Sequence, residues 1–286
     1  MKIANVQGRA ALVENGFRVD VGVASGGRFG PCMPELYSDW QQFTEWAESR
    51  TVVTDGTPFL ATEAGPPSPD PRQVFAVGIN YRQHAAESGW PVPEVPLVFT
   101  KFPSSITGPH GEIALPSDVV DWEVEVVVVI GTGGRHISAD RAREHIAGVT
   151  TGQDLSERRV QMRPKDGPQY SLGKSFPGFA PIGPVLYTTD EIPDLASIPL
   201  TCALNGRTVQ QGSTADLIFS IPELVSYLSG IVRLLPGDLI FTGSPSGVGA
   251  GMTPPRFLTS ADTIVSAIMD GDEMRQTFRD EIRDEQ

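Results

Sequence analysis

The acidic run Asp121-Trp122-Glu123-Val124-Glu125 leads directly into Val126-Val127-Val128-Val129-Ile130. Five consecutive β-branched residues read as a buried strand, on which alternate side chains share a face. Asp121, Glu123 and Glu125 then occupy one face, and Val127 and Val129 continue it inward. Carboxylates entering a core stay ionised only if something positive meets them. A hard divalent cation with a preference for oxygen ligands is the simplest partner. The plainer alternative is a strand end whose acids face water. A fourth acid, Asp154, closes the stretch Val149 to Gln153 and precedes a cationic turn carrying Arg158 and Arg159.

Two further groups have the types that chemistry needs. If the segment after Asn80 is helical, His84 and Glu87 lie at i and i+3 and can touch. A carboxylate orients a neighbouring imidazole and stabilises its protonated form, the usual construction of a general base; an incidental surface pair has the same spacing. Lys174 stands in Ser171-Leu172-Gly173-Lys174-Ser175-Phe176-Pro177-Gly178, a Gly- and Pro-rich stretch suited to a fixed loop that carries a binding residue. His110, His136 and His145 have no metal-ligand spacing and read as structural or surface residues.

Several elements must position these groups. Asn15-Gly16 and Asn205-Gly206 predict hairpins, between Arg9–Val13 and Phe17–Val23 and between Thr201–Leu204 and Thr208–Gln210. Trp40, Phe43 and Trp46 predict an amphipathic helix started by Ser38-Asp39. Val74–Ile79, Leu97–Lys101, Leu239–Thr242 and Thr263–Met269 read as strands, with a turn at Asp270-Gly271 and a charged tail after the last. Ser138 is expected to cap a short helix, Ala139–Ala147. Ser220-Ile221-Pro222-Glu223 is a capping box opening a helix towards Leu234. The loop Gly243–Gly249 lacks a Gly-Lys-Ser/Thr ending and is not a nucleotide P-loop. Glu63 to Pro71, rich in proline, is the expected boundary between a small N-terminal α+β domain (1–66) and a catalytic domain (67–286).

The 286 residues carry a net charge of -13, which opposes a nucleic-acid or anionic-membrane partner. Two cysteines, Cys32 and Cys202, make no disulfide framework and suit a reducing compartment. With no apolar leader and no membrane-length stretch, the expected location is the cytoplasm.

Taken in order, Gly78-Ile79-Asn80-Tyr81 with His84 and Glu87, Asp121-Trp122-Glu123-Val124-Glu125, Gly152-Gln153-Asp154, Gly173-Lys174-Ser175-Phe176, Leu204-Asn205-Gly206 and Thr242-Gly243-Ser244-Pro245-Ser246-Gly247-Val248-Gly249 form an ordered set. In this the chain resembles the fumarylacetoacetate hydrolase family. The resemblance implies an α+β, predominantly β fold, a mixed β-roll or sandwich with short helices, usually in a homodimer. It implies that Glu123, Glu125 and Asp154 bind a divalent metal, usually Mg²⁺ or Mn²⁺, with Ca²⁺ as an alternative. It also implies a catalytic dyad of His84 and Glu87 on a lid segment, an active-site lysine at Lys174, and substrate-side positions at Arg158, Gln161 and Ser244. Gln153 stands where Asn is common, Trp122 where Tyr is common, and Ser244 replaces a frequent Thr while keeping the hydroxyl.

The implied activity is metal-dependent cleavage of a C–C bond in an acylpyruvate or related 1,3-diketo acid, a small anionic substrate. His84 would activate water and Lys174 would stabilise the oxyanion. The same site can serve decarboxylation, isomerisation or hydration of a related 2-oxo acid. A non-catalytic metal-containing scaffold is the reading from another class, and the intact His84, Glu87 and Lys174 oppose it. Specificity is expected in the lid near Arg82 to Trp90 and in the loop Arg163 to Tyr170.

Overall fold

The computed structural model describes residues 1–51, 56–87, 89–163, 167–269 and 271–281. Asp270 of the expected Asp270-Gly271 turn lies outside them, as do residues 164–166 of the expected specificity loop and the end of the tail.

Strands dominate, and short helices fill the connections. In the larger sheet the strands run Thr57–Pro58, Phe17–Asp20, Arg9–Glu14, Lys2–Val6, Ala180–Thr188, Ile146–Gln153, Val124–Ile130, Leu239–Phe241, Val74–Gly78, Leu97–Thr100. The sheet is mixed: Leu239–Phe241 pairs with Val74–Gly78 in parallel, while Val124–Ile130 is antiparallel to both its neighbours. A second sheet orders Arg207–Ser213, Pro199–Leu204, Thr263–Ile268, Met274–Asp280 and His110–Leu115. The fold is thus mostly β with short helices, as the resemblance implies.

The strand Val124–Ile130 is buried on both faces. Val124, Val126, Val128 and Ile130 join the core shared with Leu224, Val225 and Leu228 of the helix Ile221–Ile231 and with Ile264 and Ile268 of the second sheet. Val127 and Val129 point the other way, into a core with Phe99, Phe241, Ile182 and the aromatic helix residues Trp40 and Phe43. Each such valine contributes roughly 1.5–3 kcal/mol of apolar burial. The strand that must carry acids is therefore fixed in register from two sides, since a slip by one residue would exchange its faces.

Both Asn-Gly hairpins form, with Asn15 and Gly16 at φ 51° and 82° and Asn205 and Gly206 at 51° and 80°. The second strand of the first hairpin stops earlier than expected, at Asp20. The Asp20 carboxylate accepts the Val23 N–H at 2.9 Å, and Val21–Ala24 turns into a helix. The aromatic helix is Trp40–Ser49, but Ser38 ends a separate helix, Met33–Ser38, and Asp39 caps with no side-chain bond. Residues Ala139–His145 form only short turns, uncapped by the Ser138 side chain, before the strand starting at Ile146. The capping box at Ser220 is present, and its helix ends at Ile231. The chain after the last expected strand is itself a strand, Met274–Asp280, with Met274, Gln276 and Phe278 buried in alternation. Lys2–Val6, which no turn or alternation in the sequence announces, pairs with both Arg9–Glu14 and Ala180–Thr188. The large sheet therefore runs across the segment boundary near residue 66. Nearby, Asn5 and Tyr37 donate to the carbonyls of Pro66 and Pro67 at 3.0 and 2.9 Å.

Candidate active site

At the entry of the central strand the chain breaks between Asp121 and Val124, and the three acids part company. Asp121 pairs in a short ribbon, Val120–Asp121 with Ser156–Glu157. Its carboxylate accepts N–H bonds from Trp122, Gly249 and Ala250 at 2.9, 2.7 and 3.0 Å and meets the Arg158 guanidinium at 2.6 Å. Asp121 is thereby a post for the glycine-rich loop and for Arg158, apart from the carboxylate cluster.

That cluster is Glu123, Glu125 and Asp154, buried, with one oxygen from each within 4.8 Å of the others. Its alignment comes from the backbone. Glu123 N–H donates to Gln153 Oε1 at 2.9 Å, and Asp154 N–H donates to the Glu123 carbonyl at 2.8 Å. Gln153 in turn donates to Ser266 at 2.8 Å, so its extra methylene lets it span to the second sheet. Gly152 lies opposite Glu125, and a Cβ there would meet Val127 Cγ2 at 2.4 Å.

Cations thread this cluster. Lys174 Nζ lies 2.6 Å from both Glu123 Oε2 and Asp154 Oδ2, and Arg158 Nη1 lies 2.7 Å from Glu123 Oε1. A third cation is Lys101, expected from the sequence only as the end of a strand and found just past the strand Leu97–Thr100. It is fully buried, 2.6 Å from Asp154 Oδ1. Its signal was a lysine enclosed between Phe99 and Phe102 in an apolar run. Burial opposes ionisation of Glu123, but Lys174 and Arg158 overcome it and hold the carboxyl at about 2. Burial pushes the Glu125 carboxyl well up, and the negative charges of Asp154 and Glu123 add to the push. Glu125 accepts the Gly243 N–H at 2.7 Å.

The donor set therefore fits a hard dication. Four buried carboxylates (Asp121, Glu123, Glu125, Asp154) face three cations (Lys101, Arg158, Lys174), one positive charge short of balance. The acid left without a bonded ammonium or guanidinium belongs to the three-oxygen cluster. The Tyr81 hydroxyl, buried close enough to feel the Glu125 charge, has no partner among the described residues.

Above the cluster lies a cavity of about 480 Å³, lined in part by Glu123, Lys174, Arg158, Gln161, His84 and Glu87. The expected helix forms as Arg82–Glu87, and His84 Nδ1 lies 3.2 Å from Glu87 Oε2. Burial opposes ionisation of Glu87, but the His84 ring and the Gly247 N–H, 2.9 Å away, outweigh it and lower its pKa. Asn80 fixes the start of this segment by bonding Phe219 N–H and the carbonyls of Phe219 and Thr242. Between Gly78 and Asn80, Ile79 lines the cavity at φ 54°, a strained conformation for a β-branched residue. Gln161 accepts from Arg158 Nη1 at 2.9 Å. The Ser244 hydroxyl, expected on the substrate side, accepts from Gln210 Nε2 at 2.8 Å while Gln210 Oε1 holds Val124 N–H. This hydroxyl thereby links the glycine-rich loop to the second sheet. Trp90, Phe99, Met162, Tyr170 and Met252 give the cavity apolar walls that no spacing in the sequence revealed.

A mostly β domain with a buried carboxylate cluster under a His–Glu pair defines the class. Residues 73–279 match the fumarylacetoacetate (FAA) hydrolase C-terminal family, and the chain belongs to that family. It is 40% identical over 253 residues to the human protein described as oxaloacetate tautomerase FAHD2A, mitochondrial, with 85% of this chain and 79% of that protein covered. Among solved structures, a candidate HpcE protein from Mycobacterium smegmatis is 50% identical with a TM-score of 0.93, covering 98% of this chain and 99% of that one. A fumarylacetoacetate hydrolase from Exiguobacterium antarcticum is 30% identical with a TM-score of 0.81, covering 98% and 100%. Proteins of this family thus include hydrolases and tautomerases of small organic acids.

Proposed function

We propose that the protein is a divalent-metal-dependent enzyme that hydrolyses the C–C bond of an acylpyruvate or related 1,3-diketo acid. The observation that carries this reading is the three-carboxylate cluster beneath a cavity that also presents His84 paired with Glu87. Glu123, Glu125 and Asp154 would hold the metal, Mg²⁺ or Mn²⁺, which when bound supplies Lewis-acid polarisation of a 2-oxo acid. Charge supports the substrate class: a dication turns the deficit of one positive charge into an excess of one, matching a single carboxylate.

The chain's own groups divide the remaining work. Arg158 and Lys174 provide positive charge at the cavity floor for the carboxylate and for oxygen developing negative charge. Glu87 takes the Nδ1 side of His84, leaving Nε2 to accept a proton from water as that water adds to the distal carbonyl. The balanced reaction consumes one water and releases a carboxylate, pyruvate and a proton. Trp90, Phe99, Met162, Tyr170 and Met252 suit an apolar acyl group.

The 40% identity to a protein described as an oxaloacetate tautomerase favours a second reading, in which His84 moves a proton at the carbon between the two carbonyls and no bond between carbons breaks. One experiment separates them. Purified protein with Mg²⁺ is given acetylpyruvate with pyruvate assayed, and oxaloacetate with its keto–enol interconversion followed by ultraviolet absorbance, each repeated after EDTA. Pyruvate release abolished by EDTA is the expected result. Tautomerisation without pyruvate release overturns the hydrolase in favour of the tautomerase. Pyruvate release indifferent to EDTA overturns the metal assignment.

A homodimer remains part of this proposal, to be checked by sedimentation. No helix among the described residues is long and apolar enough to cross a membrane. The cytoplasmic location also stays a proposal, since the human relative is described as mitochondrial.

A further inference from the structure

Lys101 touches the two most loaded positions of the site while remaining out of the cavity. Its ammonium donates to Asp154 Oδ1 at 2.6 Å and to the backbone carbonyl of Lys174. Asp154 is thereby divided between two lysines, Lys101 on Oδ1 and Lys174 on Oδ2, each at 2.6 Å. The neighbours of Lys101 make matching contacts. Thr100 N–H donates to Ser171 Oγ at 3.3 Å, and Phe102 N–H donates to Ser175 Oγ at 2.9 Å. Residues 100–102 thus fasten onto residues 171–175 in three successive places, the middle one made by a side chain fully buried beside the ring of Phe241. A buried lysine is costly to desolvate, and an apolar residue could fill the space. The charge is informative because of what it holds.

We propose that Lys101 is a positioning residue: it fixes the rotation of the Asp154 carboxylate and the place of the Lys174 backbone, so that both present to the cluster in one arrangement. This rests on the reading of Glu123, Glu125 and Asp154 as metal ligands. Lys101 needs no contact with substrate to act, because the Asp154 oxygens and the Lys174 ammonium are where it sends its effect. Residues that orient metal ligands from behind are worth roughly 10- to 100-fold in metal affinity or activity, and that is the size expected here.

The test uses the full-length protein stripped of metal with EDTA. Mn²⁺ binding is measured by titration calorimetry for the wild type, Lys101→Met and Lys101→Gln, with circular dichroism to show that each is folded. Amide hydrogen exchange is followed across residues 170–176, and kcat and KM are measured on whichever acid the wild type turns over. Folded Lys101→Met is expected to bind Mn²⁺ roughly 10- to 100-fold more weakly and to lose kcat with KM little changed. Lys101→Gln, which keeps a shorter donor, is expected to fall between it and the wild type. A purely structural lysine would lower the melting temperature and leave Mn²⁺ affinity and kcat per folded molecule alone; that result overturns the proposal. If the Met variant does not fold, the Gln variant is judged by the same criteria. A wild type that binds no Mn²⁺ defeats the metal reading instead. The role of Lys101 then stands on faster exchange at 170–176 in the variants and falls if exchange there is unchanged.

Discussion

The floor and the roof of the cavity are built on opposite plans. On the floor, Asp121, Glu123, Asp154, Lys101, Arg158 and Lys174 sit at the ends of strands and short helices and are bound to one another, each charge bonded to at least one opposite charge. On the roof, His84 and Glu87 sit on a six-residue helix with one buried residue, Ala85. Glu87 fastens that helix to Gly247. A buried charge network resists change because removing one member strands the others, whereas a short, half-exposed helix can be altered without disturbing the core. The floor's residues therefore couple chemistry to folding, and the roof's separate the two.

Breaking the floor should give the largest effect. Asp121→Ala removes one of the two carboxylates that hold Arg158 and leaves the amides of Gly249 and Ala250 without their acceptor, and is expected to cost about 3–5 kcal/mol of stability together with activity; urea unfolding monitored by fluorescence measures it. His84→Ala should lower kcat by roughly 10²- to 10⁴-fold while leaving the urea midpoint and Mn²⁺ binding unchanged. A matched loss of stability there would erase the contrast between the two regions. Glu87→Gln keeps a shape that can still meet Gly247 but removes the charge facing the imidazole, and roughly a ten- to hundredfold fall in kcat is expected.

The smallest effect concerns a buried acid served only by N–H donors. Asp238 accepts from Gln73 and Leu235, and burial raises it to about 6. Glu123, with Lys174 and Arg158 beside it, is held instead at about 2. For Asp238 the folded chain keeps a proton that the unfolded chain gives up, so its contribution to stability is full below the ordinary aspartate range. That contribution fades as pH rises through about 6. Asp238→Asn should flatten this slope in denaturation midpoints taken between pH 4 and 7.

How legible these regions are in the sequence follows the same division. The β-branched run and the Asn-Gly turns announce strands and hairpins because their physics is local. The carboxylates stand out because they adjoin that run, and His84 with Glu87 because the helix spacing is short. Lys101 did not stand out, since its partners lie 53 and 73 positions away and only tertiary contact brings them together. The Gln210 contact was hidden for the same reason: the Ser244 hydroxyl in a glycine-rich loop gives no hint that Gln210 from another sheet will meet it. The strand Met274–Asp280 was hidden by its charged outer face, with its partner His110–Leu115 far back in the chain.

The two Asn-Gly turns also set how the molecule will age. A glycine amide following asparagine readily attacks the side-chain carbonyl, giving a succinimide and then aspartate or isoaspartate. Both asparagines are exposed, but they are not equally vulnerable. The Asn205 side chain is held at both ends, donating to Asp262 at 2.7 Å and accepting from Thr263 N–H at 2.9 Å. No hydrogen bond restrains the Asn15 side chain among the described residues. Stored protein should therefore gain its first unit of mass at residue 15, on a hairpin none of whose residues lines the cavity, and keep its site intact while its charge drifts.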